Sequence, residues 1–167
     1  MSEPYLDPSS DVYRVAVGRL VTGVTVVTSR VGDLDHAMTA NAVASVSLEP
    51  LLLLVCVERE ARFHDAITGS GVWGVSILPA PGRATADWLA TRGRPLHGQL
   101  DRIRFHRGAA TGVALLDGAL ATLECETTDA HEAGDHTIVV GRVRAVEILD
   151  EASDALVYYR GHYETLA

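Results

Sequence analysis

Seven consecutive apolar residues, Leu51 to Val57, lie between Glu49-Pro50 and Glu58 and limit what this chain can become. The run is far too short to cross a bilayer, which takes about 20 apolar residues. Led by Pro50 and free of polar breaks, it reads as a strand buried on both faces. Its neighbours share the extended character. Val24-Thr25-Val26-Val27-Thr28 is β-branched throughout, Arg30-Val31-Gly32-Asp33 reads as a turn, and Leu34 to Ala40 returns as the partner strand. Val43 to Leu48 and Val72 to Leu78 are further strands. Leu120 to Thr128 and Thr137 to Leu149 are two long ones, separated by a polar loop over Asp129 to His136. Leu156 to Tyr163 closes the chain as one short aromatic-rich strand.

Helical spacing is confined to three places. Ser9, Ser10 and Asp11 are N-cap candidates for a helix whose Tyr13, Ala16, Val17 and Leu20 form one apolar stripe, placed across the mouth of the strand assembly. A second helix starts near Glu60, with Phe63, Ala66 and Ile67 on one side, and ends at Gly69 and Gly71. A third, Pro81 to Arg92, carries Trp88, and Arg94 to Gly108 is mixed and charged. Six or more hairpin-connected strands with a few short helices predict a mainly β chain, a closed or nearly closed antiparallel barrel. It is expected to form one domain over 1–167, with residues 1–10 a flexible N-terminal segment. No GxGxxG opens a helix after a strand and no P-loop is present, so any nucleotide is held without the usual glycine fingerprint.

The formal net charge of -8 repels nucleic-acid phosphates and anionic lipid, so neither partner is expected. An anionic cofactor stays possible where donors cluster locally. The two cysteines, Cys56 and Cys125, sit in apolar runs without CxxC spacing, which speaks for reduced thiols in a cytoplasmic protein rather than zinc or a disulfide. Met1 to Ser10 lacks the basic and apolar regions of a secretory signal.

Three stretches carry chemistry. Met38 to Ser47 sets Thr39, Asn41, Ser45 and Ser47 among small residues, a surface that supplies neutral hydrogen-bond partners and lets a ligand approach the backbone. Gly134-Asp135-His136-Thr137 places a histidine at the entry to a long strand, where it orients a ligand carbonyl, shuttles a proton or satisfies a backbone carbonyl. Tyr158 to Tyr163 mixes aromatics with Arg160, to stack on a base or to seal the barrel's end. His131 and His136 are five residues apart, too far for the HExxH metal spacing.

In this order, these stretches resemble the flavin reductase-like family, the reductase components of two-component flavin monooxygenases. The resemblance runs from about Tyr13 to Tyr163. It rests on Gly18 to Val24, His36 to Asn41, Ser45 to Pro50, Gly118 to Cys125, Gly134 to Thr137 with Val140-Gly141, and Tyr158 to Gly161. It implies a six-stranded antiparallel Greek-key split β-barrel, the FMN-binding split barrel. It also implies a homodimer with FMN or FAD near the subunit interface, NADH or NADPH as hydride donor, and a flavin-dependent monooxygenase as partner. Carried onto this chain, Thr39, Ala40, Asn41, Ser45, Val46 and Ser47 line the flavin. Cys56, Val57 and the helix start at Arg59, Arg62 and Phe63 hold its phosphate side, as the free amides of a helix N-terminus favour. Gly134, Asp135 and His136 meet flavin and nicotinamide, with His136 the catalytic candidate, and Tyr159 and Arg160 close the pocket. Ala42 and Ala44 depart from the family's hydroxyl residues, and Glu58-Arg59-Glu60-Ala61-Arg62-Phe63 replaces a Ser/Thr-bearing segment. The competing expectations are a non-catalytic flavin- or haem-binding protein on the same barrel, and a reductase with fixed flavin acting directly on an organic substrate. The retained Gly134-Asp135-His136-Thr137 favours the flavin reductase.

Overall fold

A computed structural model describes residues 8–150 and 152–166. In chain order the elements are α1 (Ser10–Val17), β1 (Thr22–Gly23), β2 (Thr25–Val31), β3 (Leu34–Ala40), β4 (Val43–Leu48) and β5 (Leu51–Glu58). Next come α2 (Arg62–Ser70), β6 (Val72–Ile77), a 3-10 turn (Ala80–Gly82) and α3 (Arg83–Ala90). The chain ends with β7 (Phe105–Arg107), β8 (Ala114–Leu116), β9 (Ala121–Ala133), β10 (His136–Ile148), β11 (Leu156–Tyr159) and β12 (His162–Thr165).

Seven strands pair antiparallel in the order β3-β2-β6-β9-β10-β5-β4. β3 and β4 lie at opposite edges, yet only Asn41 and Ala42 separate them in the chain. Three peptide steps span at most ~11 Å, so the sheet rolls until its two edges nearly meet. That is the barrel expected from the hairpin pattern. Two small sheets, β1-β11-β12 and β7-β8, complete the strands.

The barrel interior is filled by Val27, Val55, Val57, Phe63, Ile67, Trp73, Val75, Cys125 and Val139. Burying one such side chain stabilises by roughly 1.5–3 kcal/mol. α2 closes one end through Phe63, Ala66 and Ile67. Ser29 Oγ lies 3.2 Å from the Ala66 carbonyl, 2.6 Å from Ser70 Oγ and 3.0 Å from the Val72 carbonyl, which ties the helix to β2. Gly141 has a packing reason: a Cβ there would stand 2.7 Å from Trp73 Cζ2. A second cluster, with Val24, Val26, Leu89, Leu100, Leu116 and Leu156, packs α3, β8 and the 94–103 segment on the other side of β2.

Four expectations are corrected. The polar stretch Asp129 to His136 is not a loop: it extends β9 and β10, with only Gly134-Asp135 turning between the paired Ala133 and His136. Gly134, at φ 63°, is the first central residue of a two-residue hairpin turn, where glycine is favoured, and this lets the polar strands continue to the tip. Leu156 to Tyr163 is two strands, because Arg160 and Gly161 both take positive φ (50° and 85°) and reverse the chain between the paired Tyr159 and His162. Leu51 to Val57 is not buried on both faces of a single chain. Val55 and Val57 are fully enclosed, whereas Leu52, Leu54 and Cys56 are half-buried, since only alternate residues look into the barrel, and Leu51, in phase with Val55 but at the first position of the strand, is exposed. α1 is capped by Ser9, as its sequence predicts, but ends at Val17 and buries none of its residues, so its apolar stripe does not plug the barrel. Most of the segment at residues 1–10 lies outside the described residues.

Candidate functional site

The outer flank of β3 is where the chain leaves space. A free strand edge needs covering, and here side chains do it. The Ala37 N–H donates to Gln99 Oε1 (3.1 Å), and the Arg94 guanidinium donates to the Ala37 carbonyl. Arg94 Nη1 also donates to the Thr91 carbonyl at 2.9 Å, and Trp88 Nε1 to the Gln99 carbonyl at 2.9 Å. The charged segment after α3 is thereby fixed against β3 without becoming a strand. Between it, β3, the end of β5 and the start of α2 lies a cavity of about 320 Å³, lined among others by His36, Thr39, Ala61, Arg62, Phe63 and Arg94.

A second cavity of about 210 Å³ is lined by Val24, Thr39, Asn41, Ala90, Tyr158 and Tyr163. The two share Thr39 and Ala90 and so adjoin along β3, a groove in two parts that runs from Asn41 to His36. At the Asn41 end, Asn41 Nδ2 donates to Thr22 Oγ1 at 3.1 Å, and Tyr158 and Tyr163 meet edge to face at 5.5 Å. In the middle, Thr39 Oγ1 donates to the Ala86 carbonyl at 2.7 Å, so its hydroxyl fastens α3.

The other end is positive. α2 starts at Arg62 with Ala61 as N-cap and no side-chain cap, so its first amides lack a partner from their own helix. Arg62 donates to the Arg94 carbonyl. Burial, then the repulsion of Arg62 and His97, outweighs nearby Asp35 and pushes His36 below its ordinary value. Burial first and Arg62 second push Arg94 down in the same way. Across the mouth, Arg92 Nη2 pairs with Glu58 Oε2 at 2.7 Å.

The β9–β10 hairpin tip borders this end. His136 is the Cα partner of Glu58, the Arg59 N–H donates to the Asp135 carbonyl at 2.9 Å, and Arg59 pairs with Glu132 at 3.4 Å. His136 Nδ1 lies 2.7 Å from Asp135 Oδ1, which leaves Nε2 free and lowers the Asp135 carboxyl through that hydrogen bond. The next residue, Thr137, is buried, with its Oγ1 2.8 Å from His64 Nε2.

Of the residues singled out in the sequence, Thr39, Asn41, Arg62 and Phe63 line the groove, and Arg59, Gly134, Asp135 and His136 stand beside its positive end. Ala40 and Val57 face the barrel interior. Cys56 is half-buried on β5, and burial raises its thiol. Ser45, Val46 and Ser47 lie on β4 outside both cavities, with Ser47 Oγ accepting from the Glu49 N–H at 3.1 Å. Tyr159 and Arg160 lie at the β11–β12 turn, Arg160 stacked over the Tyr159 ring at 5.0 Å, and Tyr158 and Tyr163 face the groove instead. Sequence reasoning missed Arg94, Gln99 and His64. The 92–99 segment has no periodicity, and its one signal is a pair of arginines flanking Gly93.

A groove with neutral amide and phenol groups at one end, and guanidinium groups with uncapped helix amides at the other, fits a planar ligand that ends in phosphate. The comparisons agree. The flavin reductase like domain matches residues 17–167, and the chain belongs to that family. It is an oxidoreductase with the family's split-barrel fold. It is 38% identical over 156 residues to an NADH-dependent flavin reductase of Rhodococcus sp, covering 92% of this chain and 84% of that one. Among solved structures, BorF, the flavin reductase component of a bacterial two-component tryptophan halogenase, is 46% identical with a TM-score of 0.89, covering 95% and 98% of the two chains. Streptomyces globisporus SgcE6, an NADH:FAD oxidoreductase solved with NAD and FAD fragments, is 34% identical with a TM-score of 0.91, covering 99% and 98%.

Proposed function

We propose that this flavin reductase takes a hydride from NADH or NADPH onto FMN or FAD held along the β3 groove, and releases reduced flavin to a partner monooxygenase. The single observation behind this reading is the groove itself, which runs from Asn41 to the start of α2 and is bordered at that end by His136. When bound, the flavin and nicotinamide supply the redox chemistry, and the protein supplies placement and exclusion of water. Asn41, Tyr158 and Tyr163 bind the ring end. The amides of Arg62 and Phe63 take the flavin phosphate. Ala37, Met38 and Leu89 wall the groove and keep water out. Asp135 fixes the His136 ring through Nδ1, so that Nε2 is presented to the nicotinamide or to the charge on reduced flavin. Ser45, Val46, Ser47, Cys56, Tyr159 and Arg160 act in this reading at the interface with a second copy.

The open sheet face supports a homodimer. Leu48 (83% exposed), Ile148 (71%), Val146 and Leu51 lie on β4, β5 and β10, on one side of the sheet, and a second copy of the chain is the proposed cover. Among the described residues no helix is long and apolar enough to cross a membrane, and the cytoplasm is the proposed location. NAD(P)H oxidation by the purified protein tests the reading. A rate that rises and saturates with added FMN or FAD supports it. Flavin binding with no oxidation of either nucleotide makes the chain a carrier. Tightly retained flavin with poor turnover of added flavin makes it an enzyme acting on its own organic substrate.

A further inference from the structure

The positive end of the groove holds more cation than one flavin phosphate uses. Other cations nearby are neutralised: Arg92 by Glu58 at 2.7 Å, Arg59 by Glu132 at 3.4 Å and Arg107 by Asp35. Arg62 and Arg94 are not. The Arg62 guanidinium touches the Arg94 backbone carbonyl, and among the described residues neither side chain has a carboxylate within ion-pair distance. Arg94 lies back against the Ala37 and Thr91 carbonyls with its Nε buried and without a partner. Two like charges sit together, one of them partly buried, in a chain of net charge -8. Such a pair costs stability unless an anion bridges it.

The position of this pair matters as much as its charge. The α2 amides lie at the Phe63 side of the cavity, whereas the Arg62 side chain reaches from there toward Arg94. Ala37, Leu89 and Gln99 line the same cavity. Glu60 also lines it, and it too has no ion pair among the described residues. A terminal phosphate concentrates roughly −1.5 to −2 of charge on one centre, which Glu60 opposes. A diphosphate spreads its two charges over two centres, one for the helix amides and one for the arginine pair.

We propose that the Arg62–Arg94 pair binds the second phosphate of a dinucleotide flavin, so that this chain selects FAD over FMN, with the Arg62 guanidinium as the discriminating group. This rests on the reading of the groove as the flavin site. The arginines recognise a second phosphate as such, which NADPH also offers through its 2′-phosphate, and the test separates the two sources.

The experiment is flavin fluorescence quenching with riboflavin, FMN and FAD, for the wild-type protein and for Arg62→Ala and Arg62→Lys, alongside KM for NADH and NADPH and the thermal midpoint. The wild type binds FAD about tenfold or more tighter than FMN, as one added charge-assisted contact allows. Arg62→Ala brings the two constants within about threefold of one another, leaves riboflavin binding unmoved, does not lower the thermal midpoint of the ligand-free protein because it relieves the like-charge repulsion, and does not change the NADH to NADPH ratio. Arg62→Lys recovers part of the FAD preference, because the charge returns without the bidentate fork. Wild-type protein that binds and reduces FMN as tightly as FAD overturns the proposal and leaves the flavin reductase reading standing. So does an Arg62→Ala that weakens FMN and FAD equally, which makes Arg62 a ligand of the first phosphate. A loss confined to NADPH transfers the pair to the 2′-phosphate. Failure of every flavin to bind overturns both this proposal and the reading beneath it.

Discussion

Val26 and Val27 are chain neighbours, both fully buried, and they look into two different interiors. Val27 faces the barrel, where Trp73, Ile67 and four valines close the space. Val26 faces α3 and the segment after it, where much of the work is done by polar contacts. Thr28 donates to the Ala114 carbonyl at 2.5 Å, the Leu116 N–H donates to Ser76 Oγ at 3.0 Å, and Gln99 and Arg94 hold the two polar groups of Ala37. Dispersion and hydrophobic burial are non-directional and leave no vacancy. Hydrogen bonds at fixed points can hold a segment off a strand and leave a groove between them. The closed side gives the molecule its shape, and the tethered side gives it the groove proposed as its site.

Substitutions should separate the two sides. Trp73→Ala is expected to have the largest effect, about 3–5 kcal/mol of unfolding free energy read from urea transitions. Flavin affinity of the protein that remains folded should stay near wild type, and a change in affinity as large as the change in stability would erase the distinction. His136→Ala should lower turnover about 10- to 100-fold with flavin Kd changed less than about threefold, measured by steady-state kinetics and fluorescence titration. Full turnover with unchanged affinity would remove its assigned role. Gln99→Ala leaves the buried Ala37 N–H unpaired and should cost about 1–2 kcal/mol. Unlike Trp73→Ala, it should weaken flavin binding together with stability.

The smallest effect lies away from both interiors. His106 bridges β7 to two carboxylates, with Nδ1 2.9 Å from Asp117 Oδ1 and Nε2 3.1 Å from Glu147 Oε2. The hydrogen bond to Asp117 leads in raising it, against the cost of burial and with help from Glu147. Its folded value stands above the ordinary 6.5, so the stabilisation is complete below that value and is lost as pH rises through the folded one. The side chain is partly exposed, which limits the gain to under ~1 kcal/mol. The urea midpoint of His106→Gln should fall below wild type at about pH 6 and rejoin it at about pH 9. A gap that widened with pH would show the opposite linkage.

The sealed side is the legible one. The β-branched run 24–28, the apolar run 51–57 and the Phe63, Ala66, Ile67 stripe are local apolar patterns, and such patterns mark what packs inward, even though Val24 and Val26 of the first run turn to the tethered side. A sequence shows less of what faces outward. Leu52 and Leu54 read as core because nothing in the chain announces that the outer face of β5 stays open. The strands from 129 to 136 read as loop because their side chains are polar on both faces, and hydrophobic pattern is blind to a solvated hairpin. Thr39, Asn41, Arg62, Phe63 and His136 emerge through motif order. Arg94 and Gln99 act through single hydrogen bonds to a strand nearby in space and remote in sequence, and no local pattern encodes such a contact. The Tyr158 and Tyr163 faces depend on a two-residue turn that reads as continuous strand in the sequence.

Amide hydrogen exchange with and without FAD tests most directly whether function resides on the tethered side. A flavin held there predicts slowed exchange at 36–41, the first turn of α2 and 91–99, with the interior amides of β6 and β9 unchanged. Protection confined to the β7–β8 hairpin, or spread evenly across the barrel strands, would contradict it.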